Sequence, residues 1–180
     1  MNIDAAGVVD AALFTASPNC DARPADIAIE LLVIHNISLP PGVVGGTAVI
    51  DLFMNRLDPQ AHLYYAEIAA LRVSAHFFIR RDGALLQFVP CAMRAWHAGE
   101  SSWCGRVRCN DFSIGIELEG TDDIAFTDAQ YRRLAALSRL LLAHYPIAAS
   151  VGHADIAPGR KTDPGPHFDW ARYRAAVPPG

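Results

Sequence analysis

At 180 residues, 52% hydrophobic and 19% charged, the chain has the composition of one globular domain rather than a disordered polymer. A formal net charge of −4 gives no basic footprint for nucleic acid. No apolar run approaches the ~20 residues of a membrane span.

The N-terminus shows no basic n-region ahead of an apolar stretch. Asp4 and Asp10 come early and the first arginine is Arg23, so no export signal is recognised and a cytoplasmic location is expected. Cys20, Cys91, Cys104 and Cys109 form no CxxC pair and are expected as free thiols. Residues 1–26 are Ala-, Asp- and Pro-rich and weakly patterned; they predict a surface lead-in to a single domain over residues 27–177.

Ile27 to Ile37 is a β-branched, mostly apolar run that predicts a buried central strand. His35 and Asn36 sit at its end, where polar groups either line a site or bond to backbone in the core. Pro40-Pro41-Gly42 breaks the strand, and residues 38–60 predict a long loop with a helical piece around Thr47 to Met54. Leu63, Ile68 and Leu71 are spaced for a short helix over Leu63 to Val73. Two apolar runs flank Asp82-Gly83 and predict a hairpin over residues 76–89.

Residues 94–110 carry Arg94, Trp96, His97, Trp103, Arg106 and Arg108 with Gly99 and Gly105. Such a loop suits recognition of sugars or carboxylates, or is packed down by its tryptophans. Phe112 to Gly120 is the second strong strand. Alternation points Glu117 away from Ile116 and Leu118, on the face it shares with Ser113 and Gly115. Small neighbours leave room there for a ligand; a solvent-facing glutamate on an edge strand fits the pattern equally. Thr127 and Gln130 form a capping box that opens a helix, whose apolar face is Leu134, Leu137, Leu140 and Leu141. Tyr145-Pro146 ends it, Ile147 to Val151 predicts a third strand, and Asp169 to Val177 a terminal helix.

Between them, Gly152 to Pro166 reads as a stiff Pro/Gly-rich loop able to hold side chains at fixed distances. His153 and Asp163 suit a divalent cation, zinc first. Lys161 beside them makes sense where negative charge develops in a reaction. His35, at the end of another strand, completes a His–His–carboxylate set with one open position, the donor set of catalytic rather than structural zinc. Glu117 would then be the base and Lys161 would face the oxyanion.

Five blocks carry a resemblance: Leu31 to Gly42, Arg72 to His76, Arg94 to Gly99, Arg108 to Gly120 and Gly152 to Pro166. In this order they closely resemble the AmpD family of bacterial 1,6-anhydro-N-acetylmuramyl-L-alanine amidases, zinc amidases related to bacteriophage T7 lysozyme and the peptidoglycan-recognition proteins. The resemblance runs from about residue 20 to 175. It implies a mixed α/β single domain with a central mixed β-sheet flanked by helices. It implies one zinc ion at His35, His153 and Asp163, with Glu117 and Lys161 catalytic and Asn36, Arg72, Trp96 and Arg108 lining the substrate cleft. The reaction implied is cleavage between the lactyl group of anhydro-muramic acid and L-alanine in cytoplasmic muropeptides, in peptidoglycan recycling and indirectly in control of AmpC β-lactamase induction. The partner expected is this small molecule, with no nucleic acid, membrane or obligate protein partner. The alternatives are an amidase acting on intact cell wall, or a muropeptide-binding protein without turnover. Two positions depart from the family pattern: Ala154, and His167, which adds a fourth possible ligand.

Overall fold

The computed structural model describes residues 1–177. In chain order the elements are β1 (Leu13–Phe14), β2 (Cys20–Ala22), β3 (Leu31–Ile37), α1 (Ala48–Phe53), α2 (Leu63–Ile68), β4 (Phe77–Ile79), β5 (Leu85–Gln87), β6 (Met93–Ala95), β7 (Ser102–Trp103), β8 (Arg106–Val107), β9 (Ser113–Glu119), α3 (Asp128–His144), β10 (Ala149–Gly152), α4 (His153–Ile156) and α5 (Trp170–Ala176). The main sheet has the order β1-β5-β4-β9-β3-β10. Only β4 and β5 are antiparallel, so the sheet is mixed.

The two strongest apolar runs become the two central strands. β3 and β9 pair in parallel, with Val33 beside Gly115 and His35 beside Glu117. Parallel central strands are covered on both faces, which is why β3 opens as a continuous apolar run, while β9 alternates Ile114, Ile116 and Leu118 with the smaller or polar residues that face the site. On one face Leu32, Ile34, Ile114 and Ile116 pack against Leu134, Leu137 and Leu141 of α3 and Tyr173 of α5. On the other, α1 covers Phe78 and Leu86 with Val49, Leu52 and Phe53. The part of that second face left beside β3 and β9 is the site.

The capping box forms as expected: Thr127 Oγ1 accepts from Gln130 N at 3.1 Å, and Gln130 Oε1 accepts from Thr127 N at 3.0 Å. β9 lies between β4 and β3, so Glu117 is not on an edge strand.

Several expectations need correction. Residues 1–26 are not a surface lead-in. β1 pairs with β5 at the edge of the main sheet, β2 pairs with β6, and Val9, Ser17 and Asn19 are buried. Strands of two and three residues are too short for alternation to show in the sequence. α2 forms but ends at Ile68, so Leu71 lies beyond it, and Leu63 is 88% and Leu71 48% exposed; the spaced leucines are not a core face. The hairpin, by contrast, forms as expected around Asp82-Gly83: β4 and β5 pair antiparallel, Arg80 N donates to Ala84 O at 2.9 Å, and Gly83 takes a positive φ of 84° in the connection. Residues 94–110 contain β7 and β8 rather than continuous loop. Finally, His153–Ile156 is one turn of helix, because Gly152 N donates to the Asp155 carboxylate at 2.7 Å and closes it.

Candidate active site

Register builds the site. β10 pairs with β3 so that Gly152 lies beside Ile34; the residues that follow are His153, the first of α4, and His35 of β3. Both imidazoles leave the same end of the sheet. Asp163 returns from the following loop, anchored where Ala154 N donates to Asp163 O at 2.9 Å. His35 Nδ1 is 3.0 Å from His153 Nδ1 and 3.0 Å from Asp163 Oδ2, and His153 Nδ1 is 3.1 Å from the same Oδ2. Three donor atoms therefore converge on one point. A tetrahedral centre with bonds of ~2.0–2.1 Å would set its ligands roughly 3.3 Å apart, so the triangle needs almost no adjustment to hold an ion.

The electrostatics agree. Burial pushes His35 down to about 4, more than the neighbouring Asp163 raises it. The shift favours the neutral imidazole, the form that ligates metal. Burial alone would raise the Asp163 carboxyl, but the two imidazoles of His153 and His35 against it outweigh that and hold the group well below the usual carboxylate range.

A second layer supports the first. His153 Nε2 lies 3.2 Å from Ala98 O, a carbonyl also held by Arg160 at 2.8 Å. His35 Nε2 lies 2.9 Å from His97 Nδ1, and His97 Nε2 lies 3.1 Å from Ser113 Oγ. His97 packs edge-on against both His35 and the buried His76. Burial, then the neighbouring histidines, push the His97 imidazole well below its ordinary value. Nothing in the sequence pattern singles out His97 from its loop. Its signal is Gly115, a glycine inside a strong strand: a Cβ there would lie 2.4 Å from His97 Cγ.

Glu117 faces the same cavity. It is buried, and its Oε2 has no hydrogen-bond partner. Burial and the charge of Asp163 raise its carboxyl well above the usual range, against an opposing pull from Lys161. Lys161 is exposed and lines the same cleft. That cleft is about 530 Å³ and also takes in Asn36, Trp96 and Tyr64. Asn36 Nδ2 donates to Asp122 at 2.7 Å and to Pro164 O at 3.1 Å. Trp96 Nε1 donates to Asp21 at 3.1 Å, and Arg94 bridges Asp21 and Asp111.

The two candidate arginines are less engaged. Arg108 is largely exposed with its Nε 3.3 Å from Asp111, and Arg72 is exposed, its guanidinium near the carbonyls of residues 69–71. Neither lines the 530 Å³ cleft, although Leu71 and Val73 on either side of Arg72 do. His167 is exposed and stands outside the His35–His153–Asp163 cluster.

A buried His–His–carboxylate cluster with an open side, an unpartnered buried carboxyl and an ammonium on one cleft is the constellation of a hydrolase able to hold a divalent metal. The family model described as N-acetylmuramoyl-L-alanine amidase matches residues 25–166. The 1,6-anhydro-N-acetylmuramyl-L-alanine amidase AmpD of Escherichia coli K12 is 63% identical over 163 residues, 89% of each chain. A crystal structure of a selenomethionine AmpD derivative superposes with a TM-score of 0.96 at 59% identity, covering 98% of this chain and 99% of that one. The Escherichia coli amidase AmiD, in complex with anhydro-N-acetylmuramic acid-L-Ala-D-γ-Glu-L-Lys, aligns at 33% identity and a TM-score of 0.60, over 86% of this chain and 60% of that one. The chain belongs to the N-acetylmuramoyl-L-alanine amidase family and is an amide hydrolase of that class.

Proposed function

We propose that this enzyme hydrolyses the amide between the lactyl group of 1,6-anhydro-N-acetylmuramic acid and L-alanine in muropeptides, with one zinc ion held by His35, His153 and Asp163. The observation that carries the reading is the convergence of two Nδ1 atoms and one carboxylate oxygen within 3.0–3.1 Å, beside a Glu117 Oε2 that has no protein partner. Two imidazoles and a carboxylate suit zinc, and a buried carboxyl oxygen without a partner suits a water or substrate proton. Zinc, when bound, supplies Lewis acidity that polarises the scissile carbonyl and makes water acidic near neutral pH.

The remaining steps belong to the chain. Glu117 Oε2 accepts the proton of the attacking water and returns it to the departing nitrogen of L-alanine, which is a poor leaving group unprotonated. A cation at the cluster and the Lys161 ammonium both favour the ionised Glu117 that this needs, against burial. Lys161 faces the oxygen on which negative charge builds. Asn36 and Trp96 bind the muropeptide from the cleft wall, and Arg72 and Arg108 meet its peptide carboxylates from outside it.

The catalytic machinery is assigned to residues 27–177. The substrate is a small molecule, and no protein partner is required. The proposed setting is cytoplasmic peptidoglycan recycling, with an indirect effect on AmpC β-lactamase induction where that system exists. Four free cysteines are at home in a reducing compartment, and among the described residues no helix is long and apolar enough to cross a membrane. Mass spectrometry of an anhydro-muropeptide incubated with the protein tests the reading. The expected products are the free sugar acid and the intact peptide, and a chelator should abolish them. Chelator-insensitive cleavage, or binding without cleavage, would overturn it.

A further inference from the structure

His35 has two ring nitrogens, and only one can be a ligand. Its Nδ1 points at the cluster and its Nε2 at His97 Nδ1, 2.9 Å away. For Nδ1 to offer a lone pair, a neutral His35 must carry its proton on Nε2, and His97 Nδ1 must accept it. What decides this lies two residues further out. Ser113 is fully buried, and its hydroxyl donates to Cys109 O at 2.6 Å. Having donated its one proton, Ser113 Oγ can only accept from His97 Nε2, 3.1 Å away. A neutral His97 protonated on Nε2 is bare on Nδ1. The direction of the whole chain thus follows from one backbone carbonyl, which cannot donate.

We propose that His97 is a positioning residue that holds His35 in the tautomer able to ligate metal, with Ser113 setting the direction of the relay. The assignment rests on the metal reading given above. The sheet is cut to fit it: Gly115 lies beneath the ring, where a Cβ would come within 2.4–2.7 Å of three His97 atoms. His76 meets the same ring edge-on at a centroid distance of 5.8 Å. His153 needs no such relay, because its Nε2 already faces the carbonyl of Ala98.

The test uses the full chain and zinc alone, with affinity read by competition against a chromophoric chelator. His97→Leu should weaken zinc binding about 10- to 100-fold, the usual effect of losing a group that orients a metal ligand. His97→Asn can place an amide oxygen near the position of Nδ1 and should recover most of that loss, which a general packing defect would not allow. Nitrogen NMR of the metal-free wild type gives an independent reading: His97 should carry its proton on Nε2, and Ser113→Ala should remove that preference. Wild-type affinity in His97→Leu, no recovery in His97→Asn, or a His97 protonated on Nδ1 would each overturn the proposal. A wild-type chain that binds no zinc would defeat the metal reading, while the tautomer measurement would still decide the relay.

Discussion

Gly115→Ala is a small substitution with a sign that the structure decides. In most strands it should help: replacing glycine with alanine stabilises by about 0.4–1 kcal/mol, because the unfolded chain loses freedom. Here the new Cβ would stand 2.4 Å from His97 Cγ and 2.5 Å from Nδ1. Carbon contacts settle at about 3.5–4.0 Å, so one side must move by roughly 1 Å. The backbone is pinned: Gly115 N donates to His76 Nδ1 at 3.0 Å, Gly115 O accepts from His76 N at 3.1 Å, and the residue is in register with Val33. The ring must therefore move, off His35. Overpacking of this kind costs about 1–3 kcal/mol, and the lost hydrogen bond about 0.5–1.5. Set against the entropic gain, the net is a destabilisation of about 0.5–4 kcal/mol, or ~1–16 °C in Tm for a chain of this size. The assay is thermal unfolding of the metal-free protein by circular dichroism, in the wild-type and His97→Ala backgrounds. With the imidazole gone, Gly115→Ala should become neutral or stabilising, a coupling of about 1.5–4.5 kcal/mol. An equal loss of Tm in both backgrounds, or none in either, would refute the steric argument.

Glu117→Gln should keep zinc content and lower kcat by about 10²–10⁴, since the amide retains the shape but cannot take a proton; wild-type turnover in single-turnover kinetics would leave Glu117 only a positioning group. Arg108→Ala should raise KM about tenfold or more with kcat nearly unchanged, through loss of a charge-assisted bond of about 1.5–3 kcal/mol, and a flat KM would remove it from substrate binding. Iodoacetamide on the native protein should label the exposed Cys104 first. Cys91, fully buried with its thiol pushed up to about 12, should stay unmodified until the chain is unfolded, as peptide mass spectrometry would show.

The sequence carries most of the site because the site is built at strand ends. Apolar runs end in His35 and lead into His153, and parallel neighbours in register bring such ends together without further information. Glu117 is legible for the same reason, since alternation assigns its face and Ser113 and Gly115 mark that face as open. What period-based reading misses is contact through space. His97 reaches His35 from a loop with no periodicity, and only the glycine opposite it betrays the contact. Arg23 gives no sign at all: it precedes the first long strand in a segment whose own strands are two and three residues long. α2 shows the converse error: the helical spacing runs to Leu71, but the helix stops at Ile68 and both Leu63 and Leu71 are exposed.

Arg23 also explains why the first 26 residues matter to chemistry on the far side of the sheet. Its half-buried guanidinium donates to the carbonyls of Cys91, Asn110, Asp111 and Ser113, at 2.8–3.1 Å. Carbonyl dipoles thus do the work usually left to a carboxylate partner. The segments it ties together are those that present Ser113 and Cys109 to His97. Its Nη2 also stands 3.0 Å from His76 Nε2. His76 accepts from Gly115 N on Nδ1, so its own proton sits on Nε2 and points to Met93 O at 3.2 Å. Burial first, then the adjacent guanidinium, push His76 well below its ordinary value. A ring made less basic in this way adds less positive charge beside a metal two imidazoles away. His97 and His35 each face a neighbour that fixes where the ring proton sits, and the lone pair of His35 is left on the Nδ1 that meets His153 and Asp163.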